Sequence, residues 1–244
     1  MPEGARTRSD GRGDSDVREI SFETGFQPSP EGSVLISWGE TRVLCSASIE
    51  NRVPPFIAPK SGGWVTAEYD MLPGSGNRRV RRDRGGATKG RSQEIQRIIG
   101  RSLRQTLDLS KLPDRTITID CDVLVADGGT RVAAITGGAV ALRLAIQRLL
   151  ERGDVETDPW RGFVGALSIG IVGDRVLTDL TYEEDSGAMM DMNVVCMSSG
   201  LLVELQASAE HRPIPFDDVQ EMARSAMSSI LGYVIPCQKL AAGE

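Results

Sequence analysis

Apolar and polar residues alternate from Thr116 to Val125. Ile117, Ile119, Cys121, Val123 and Val125 fall on one face, and Thr116, Thr118, Asp120, Asp122 and Leu124 on the other. A period of two predicts a half-buried strand. Asp127-Gly-Gly-Thr-Arg131 then breaks the pattern, and Ala134, Ile135, Val140, Leu142, Leu144, Ala145, Ile146, Leu149 and Leu150 follow as a long apolar helix. The same two periods organise the rest of the chain. Residues 32–38 and 41–49 around Gly39-Glu40 predict a β-hairpin, and residues 63–69 another strand. Ile95, Ile98, Ile99, Leu103 and Leu107 predict a helix with Ser92 as its N-cap. A second hairpin is predicted from residues 162–172 and 175–180 around Gly173-Asp174. Strands over 192–197 and 201–206 come next, and a last helix opens at Pro215-Phe-Asp-Asp. Both halves thus run from hairpins and strands into a long helix, and no Pro/Gly-rich linker divides them. The predicted class is α+β, one domain over residues 1–244 made of two similar halves, with the polar residues 1–17 as a tail or extended arm.

Composition narrows the function classes. A chain of 244 residues, 40% hydrophobic and 25% charged, has the core expected of a soluble globular protein. A net charge of −6 argues against a uniformly basic nucleic-acid binder but leaves room for a local basic patch. No apolar run approaches the ~20 residues of a membrane span, and the first residues lack the apolar stretch of a secretory signal. Cys45, Cys121, Cys196 and Cys237 are widely spaced in or beside apolar runs, which reads as reduced, mostly buried thiols of a cytoplasmic protein. The single histidine, His211, lies in a polar stretch. A His-rich zinc site is therefore excluded, and a Ser-His-Asp triad would have to use that one residue. Chemistry is expected to rest on carboxylates, arginines and a metal held by oxygen.

Three places offer such chemistry. The Gly128-Gly129-Thr130-Arg131 turn opens a helix, where free N–H groups, the positive dipole end and an arginine favour an anion. A plain strand-to-helix turn accounts for the same residues. Residues 73–91 hold seven cations between Arg78 and Arg91 against one acid, Asp83, with few apolar residues. This reads as a mobile cationic loop, either a solvated surface segment or a contact to a phosphate backbone, the latter favoured by its contrast with the acidic whole. Its last member, Arg91, stands beside a second helix start, so an anion between Arg91 and Arg131 would meet two dipole ends and two guanidinium forks. Finally, Asp179, Glu183, Glu184, Asp185 and Asp191 gather around a strand end and the loop after it. Paired carboxylates beside a phosphate site suit Mg²⁺; a solvated acidic loop is the alternative. Asp120 and Asp122 face away from the apolar side of their strand and read as structural or positioning groups.

Longer strings carry a family resemblance: residues 31–50 (EGSVLISWGETRVLCSASIE), 63–73 (GWVTAEYDMLP), 90–104 (GRSQEIQRIIGRSLR), 116–138 (TITIDCDVLVADGGTRVAAITGG) and 182–195 (YEEDSGAMMDMNVV). In this order they resemble the RNase PH family of phosphorolytic 3′-exoribonucleases over almost the whole chain. The resemblance implies a ribosomal-protein-S5-domain-2-like fold of two βαβ-type halves with mixed sheets and packed helices. It implies inorganic phosphate as co-substrate, held by Arg91 and by Gly129, Thr130 and Arg131, and Mg²⁺ near the catalytic carboxylates Asp185 and Asp191. It implies tRNA precursors, and other structured RNA such as rRNA, as partners contacted by Arg78, Arg79, Arg81 and Arg82, and a homo-hexamer built as a trimer of dimers. Apolar, Met-containing stretches such as 187–197 are candidate interfaces. Two rivals stand beside this reading. One is a non-catalytic ring subunit of the polynucleotide phosphorylase or exosome type that binds RNA, and the other a small-molecule phosphotransferase using the same anion site.

Overall fold

A computed structural model describes residues 8–80, 90–210 and 212–244. The alternating residues form two sheets. In the first, β1 (Ile20–Thr24), β2 (Gly32–Trp38), β3 (Thr41–Glu50), β4 (Trp64–Met71) and β5 (Thr116–Val125) lie in the order β1-β2-β3-β5-β4. The predicted hairpin is β2–β3, with Trp38 opposite Thr41 and Gly39 at φ 55° in the turn. β4 runs parallel to β5, joined through helix α1 (Gly90–Arg104). In the second sheet, β6 (Val164–Val172), β7 (Arg175–Thr178), β8 (Met190–Met197) and β9 (Leu202–Ala209) lie in the order β7-β6-β8-β9, antiparallel throughout. The first sheet is thus mixed and the second is not, because only β4 and β5 are linked by a crossover long enough to return the chain in the same direction.

Helix α2 (Thr130–Glu151) packs on β2, β3 and β5 and also on β6. Residues 132–142 are buried without a break, as a helix covered on all sides requires. Its length and apolarity match a membrane span, against the expectation of no such run, but 78% of that window is buried inside the protein. The approach of β2 to α2 is close enough that a Cβ on Gly32 would stand 1.9 Å from the Ala141 carbonyl oxygen. The last helical run is α4 (Phe216–Ser229), a π-turn over Ile230–Val234 and α5 (Ile235–Ala241), where the buried Gln238 donates 2.9 Å hydrogen bonds to the Thr136 and Val164 carbonyls.

Several expectations are corrected. Within residues 1–17, the part from Arg8 onward is no tail. The buried Arg8 donates to both carboxylate oxygens of Glu184 (2.7 and 2.5 Å) and to the Thr178 and Asp179 carbonyls. Nearby, the Arg18 backbone N–H and guanidinium bind the fully buried Asp179, which also accepts from Trp38 Nε1 at 3.0 Å. A carboxylate taken out of water needs such partners. The acidic segment is not a loop throughout either, because Tyr182–Ser186 form a short helix, α3, closed by a Thr181–Glu184 capping box. The stretch 187–197 offers little to an interface: Ala188, Met190, Met192 and Val194–Met197 are buried in the core. Cys45, Cys121, Cys196 and Cys237 are all free thiols, the first three buried. Arg81 and Arg82, with the rest of 81–89, and His211 lie outside the described residues.

Candidate active site

Helix α1 begins at Gly90, so Arg91 sits inside its first turn and Ser92 is not the cap. At the second helix start, β5 delivers the chain into Gly128 and Gly129, at φ 74° and 67°, conformations that glycine adopts without strain. Gly129 is the N-cap of α2, and no side chain caps that end. The first-turn N–H groups of α2 are therefore left for another acceptor. Thr130 is tied back by its hydroxyl to the Tyr69 hydroxyl at 2.8 Å. Burial pushes the Tyr69 phenol above its usual pKa, while Thr130 and the Arg91 and Arg131 charges work against the rise.

The second half supplies the acids. α3 presents Asp185, and Asp191 is the second residue of β8. Their six-residue spacing is spanned by a helical turn and a strand start, and both face one open cavity of about 510 Å³. Arg91, Glu94, Arg131, Asp185, Ser186, Ala188, Asp191, Gln206, Ser208 and Glu210 line it. The surrounding protein raises the Asp185 carboxyl above its usual value, the Asp191 charge adds to the rise, and Arg131 and Arg91 oppose it. Asp191 is also raised, by burial first and by the Glu210 charge, with Arg131 again opposing. Two aspartates whose carboxyls are raised above the usual value, beside two arginines that oppose the rise, form a site whose negative charge is tuned by its cations.

Arg91, Arg131, Asp185 and Asp191 are thus brought together, while Gly129 and Thr130, the cap and first residue of α2, precede Arg131 in the chain and are not among the lining residues. Arg78 and Arg79 are exposed and do not line the cavity. Their loop is rooted close by, since the Ser75 carbonyl accepts from the Ala126 N–H at 2.7 Å, one residue before Asp127. Asp120 and Asp122 lie elsewhere, with Glu68 and Asp70 along a separate groove. The sequence patterns missed Gln206, which accepts from Arg131 Nη1 and donates to Glu94, so that β9 holds the arginine of the turn. They also missed Glu210, and its only signal in the sequence was its place at the end of a strand beside the acids.

Two carboxylates in an open cavity with room for phosphate oxygens and water fit Mg²⁺, which takes one or two carboxylates and completes its shell from substrate and solvent. Among the described residues no cluster of three or more metal-ligating side chains occurs.

Comparison with known proteins fits this geometry. Residues 16–146 match the model of the 3′ exoribonuclease family, domain 1, and residues 162–229 that of domain 2. Ribonuclease PH of Bacillus subtilis is 48% identical over 91% of this chain and 92% of its own length. Ribonuclease PH of Moorella thermoacetica is 47% identical over 97% and 95%. Two solved structures share the fold. The Archaeoglobus fulgidus exosome with RNA bound to the active site has a TM-score of 0.74 at 22% identity, covering 91% of this chain and 89% of that one. Rice Rrp46 has a TM-score of 0.71 at 16% identity, covering 93% and 100%. This chain belongs to the ribonuclease PH family of 3′ exoribonucleases.

Proposed function

We propose that this protein shortens RNA from its 3′ end by phosphorolysis, that inorganic phosphate is the attacking reagent, and that the cavity where the starts of α1 and α2 face α3, β8 and β9 is where it attacks. The observation that carries the reading is the meeting of Arg91 and Arg131 with Asp185 and Asp191 in one cavity. Phosphate lies between Arg91 and the Gly129-Thr130-Arg131 turn. There the two guanidinium groups, the uncapped N–H groups of α2 and the dipole ends of α1 and α2 offset its charge. A phosphate oxygen attacks the phosphorus of the last phosphodiester. The bond to the 3′ oxygen of the preceding nucleotide breaks, giving a nucleoside diphosphate and an RNA one residue shorter.

The nucleophile arrives charged, so no histidine base is required. The obstacle is crowding of negative charge, which preorganised cations relieve. Asp185 and Asp191 would hold Mg²⁺, which supplies electrostatic stabilisation of the transferring phosphoryl group. Asp185 would also orient the water that gives the departing 3′ oxygen its proton. The raised pKa values of this pair also match a site that gains from a bound cation.

The substrate is the 3′ end of tRNA precursors and other structured RNA. Arg78, Arg79, Arg81 and Arg82 contact its backbone, from a loop rooted at Ser75 beside the strand that feeds the phosphate turn. The two family segments act as one domain, with the active site between them, in a cytoplasmic homo-hexamer built as a trimer of dimers. The test is incubation with a 3′-extended tRNA, Mg²⁺ and phosphate. Nucleoside diphosphates should accumulate, and omission of phosphate should stop the reaction. Nucleoside monophosphates would make the enzyme a hydrolase and overturn the reading.

A further inference from the structure

The two parts of this site come from different halves of the chain, and their separation must be fixed to within a fraction of an ångström for an in-line attack. The turn that carries Thr130 and Arg131 belongs to the first half, and α3, which carries Asp185, belongs to the second. They meet directly at Gly128: a Cβ there would stand 2.5 Å from the Leu180 carbonyl oxygen and 2.7 Å from the Tyr182 nitrogen. One guanidinium spans this seam. Arg18 donates from Nη1 to the Asp127 carbonyl at 2.5 Å, on the turn side. On the other side it donates from Nε and Nη2 to Asp179 at 2.9 and 2.7 Å, and from Nη2 to the Leu180 carbonyl at 3.2 Å.

From this geometry we infer that Arg18, with Asp179, is the positioning pair of the site, setting how far the phosphate turn stands from the carboxylates. The inference rests on the phosphorolytic reading above. Arg18 does not line the cavity of Arg91, Arg131, Asp185 and Asp191, and it acts through the two backbone segments it joins. Asp179 is the counterpart that orients it. Its carboxylate is closed off by the Arg18 fork, the Arg18 N–H, Trp38 Nε1 and Arg12, and its backbone sits at φ 57°, so the strand end before α3 has one well-defined exit. Rigidity here does what a planar fork does and a flexible point charge cannot: it bonds two carbonyls and a carboxylate at fixed angles.

The test compares Arg18→Lys with Arg18→Ala in the full chain, at a temperature well below melting. Lysine keeps a cation for Asp179 but not the second arm across the seam. If Arg18 positions the site, Arg18→Lys, assayed well below its own lowered melting temperature, binds RNA with unchanged affinity and yet loses about ten- to a hundredfold in kcat/KM for phosphate. Arg18→Ala loses both stability and activity. Wild-type kcat and KM for phosphate in folded Arg18→Lys would overturn the inference and leave the phosphorolytic reading intact. A wild-type reaction that ignores phosphate would instead sink that reading.

Discussion

Removing the Arg91 guanidinium is the most informative single change. Arg91 lies in the first turn of α1, lines the cavity, and opposes the raised pKa of Asp185, so its charge is felt where phosphate would sit. A guanidinium gripping a phosphate makes charge-assisted hydrogen bonds worth about 1.5–3 kcal/mol each. The cavity is open to solvent, which screens such contacts. A total near the low end for two bonds, about 2–3 kcal/mol, is therefore appropriate. At 1.4 kcal/mol per tenfold change, Arg91→Ala should raise the KM for phosphate about 30- to 140-fold. With RNA contacted by the basic loop, as proposed above, its affinity should hold within about twofold. The assay follows nucleoside diphosphate release against phosphate concentration at saturating RNA, with RNA binding measured separately by fluorescence anisotropy. Loss of both in equal proportion, or an unchanged KM for phosphate, would refute the assignment.

Other outcomes follow from the same geometry. Asp185→Asn or Asp191→Asn should abolish turnover while the protein stays folded and binds RNA, and near-normal rates would remove that residue from the site. Because both carboxyls are raised above 3.8, they take up protons at higher pH than free aspartates, and the acid-side loss of activity should begin correspondingly early. Arg91→Ala removes a charge that lowers the Asp185 pKa, so it should move that loss to still higher pH; a shift downward would contradict the placement of Arg91. Alanine at Arg78, Arg79, Arg81 and Arg82 together should weaken RNA binding and flatten its logarithmic salt slope by up to about 3, from ~0.7 per phosphate contact on a single strand. An unchanged slope would make the loop a solvated surface segment. Gly32→Ala drives a Cβ into the Ala141 carbonyl and should cost about 1–3 kcal/mol of stability in denaturant melts. A loss under about 0.5 kcal/mol would mean that β2 does not approach α2 so closely.

What the sequence disclosed is what local periodicity encodes. The strand, glycine turn and helix over residues 116–151 were legible because alternation, Gly-Gly and an apolar helix pattern agree along one continuous stretch. Arg91 and the Gly129-Thr130-Arg131 turn were paired as an anion site from two helix starts, although α1 begins two residues earlier than its apolar pattern indicates. α3 was signalled by Thr181 and Glu184 at capping-box spacing, a cue hidden by the density of acids around it. The partners of Arg8 and Arg18 were not legible, because Glu184 and Asp179 lie 176 and 161 residues away and only the fold brings them together. For the same reason Asp179 grouped by sequence with Asp185 and Asp191, though it is an ion-paired anchor buried behind them. Gln206 was invisible because its role depends on the pairing of β8 with β9.

The central claim is that phosphate, and not water, breaks the phosphodiester. Supplying ³²P-labelled inorganic phosphate with an unlabelled 3′-extended tRNA tests it directly. The account predicts that the label enters the released nucleoside diphosphates as their terminal phosphate, one label for each nucleotide removed. Shortened RNA accompanied by unlabelled nucleotides would contradict it.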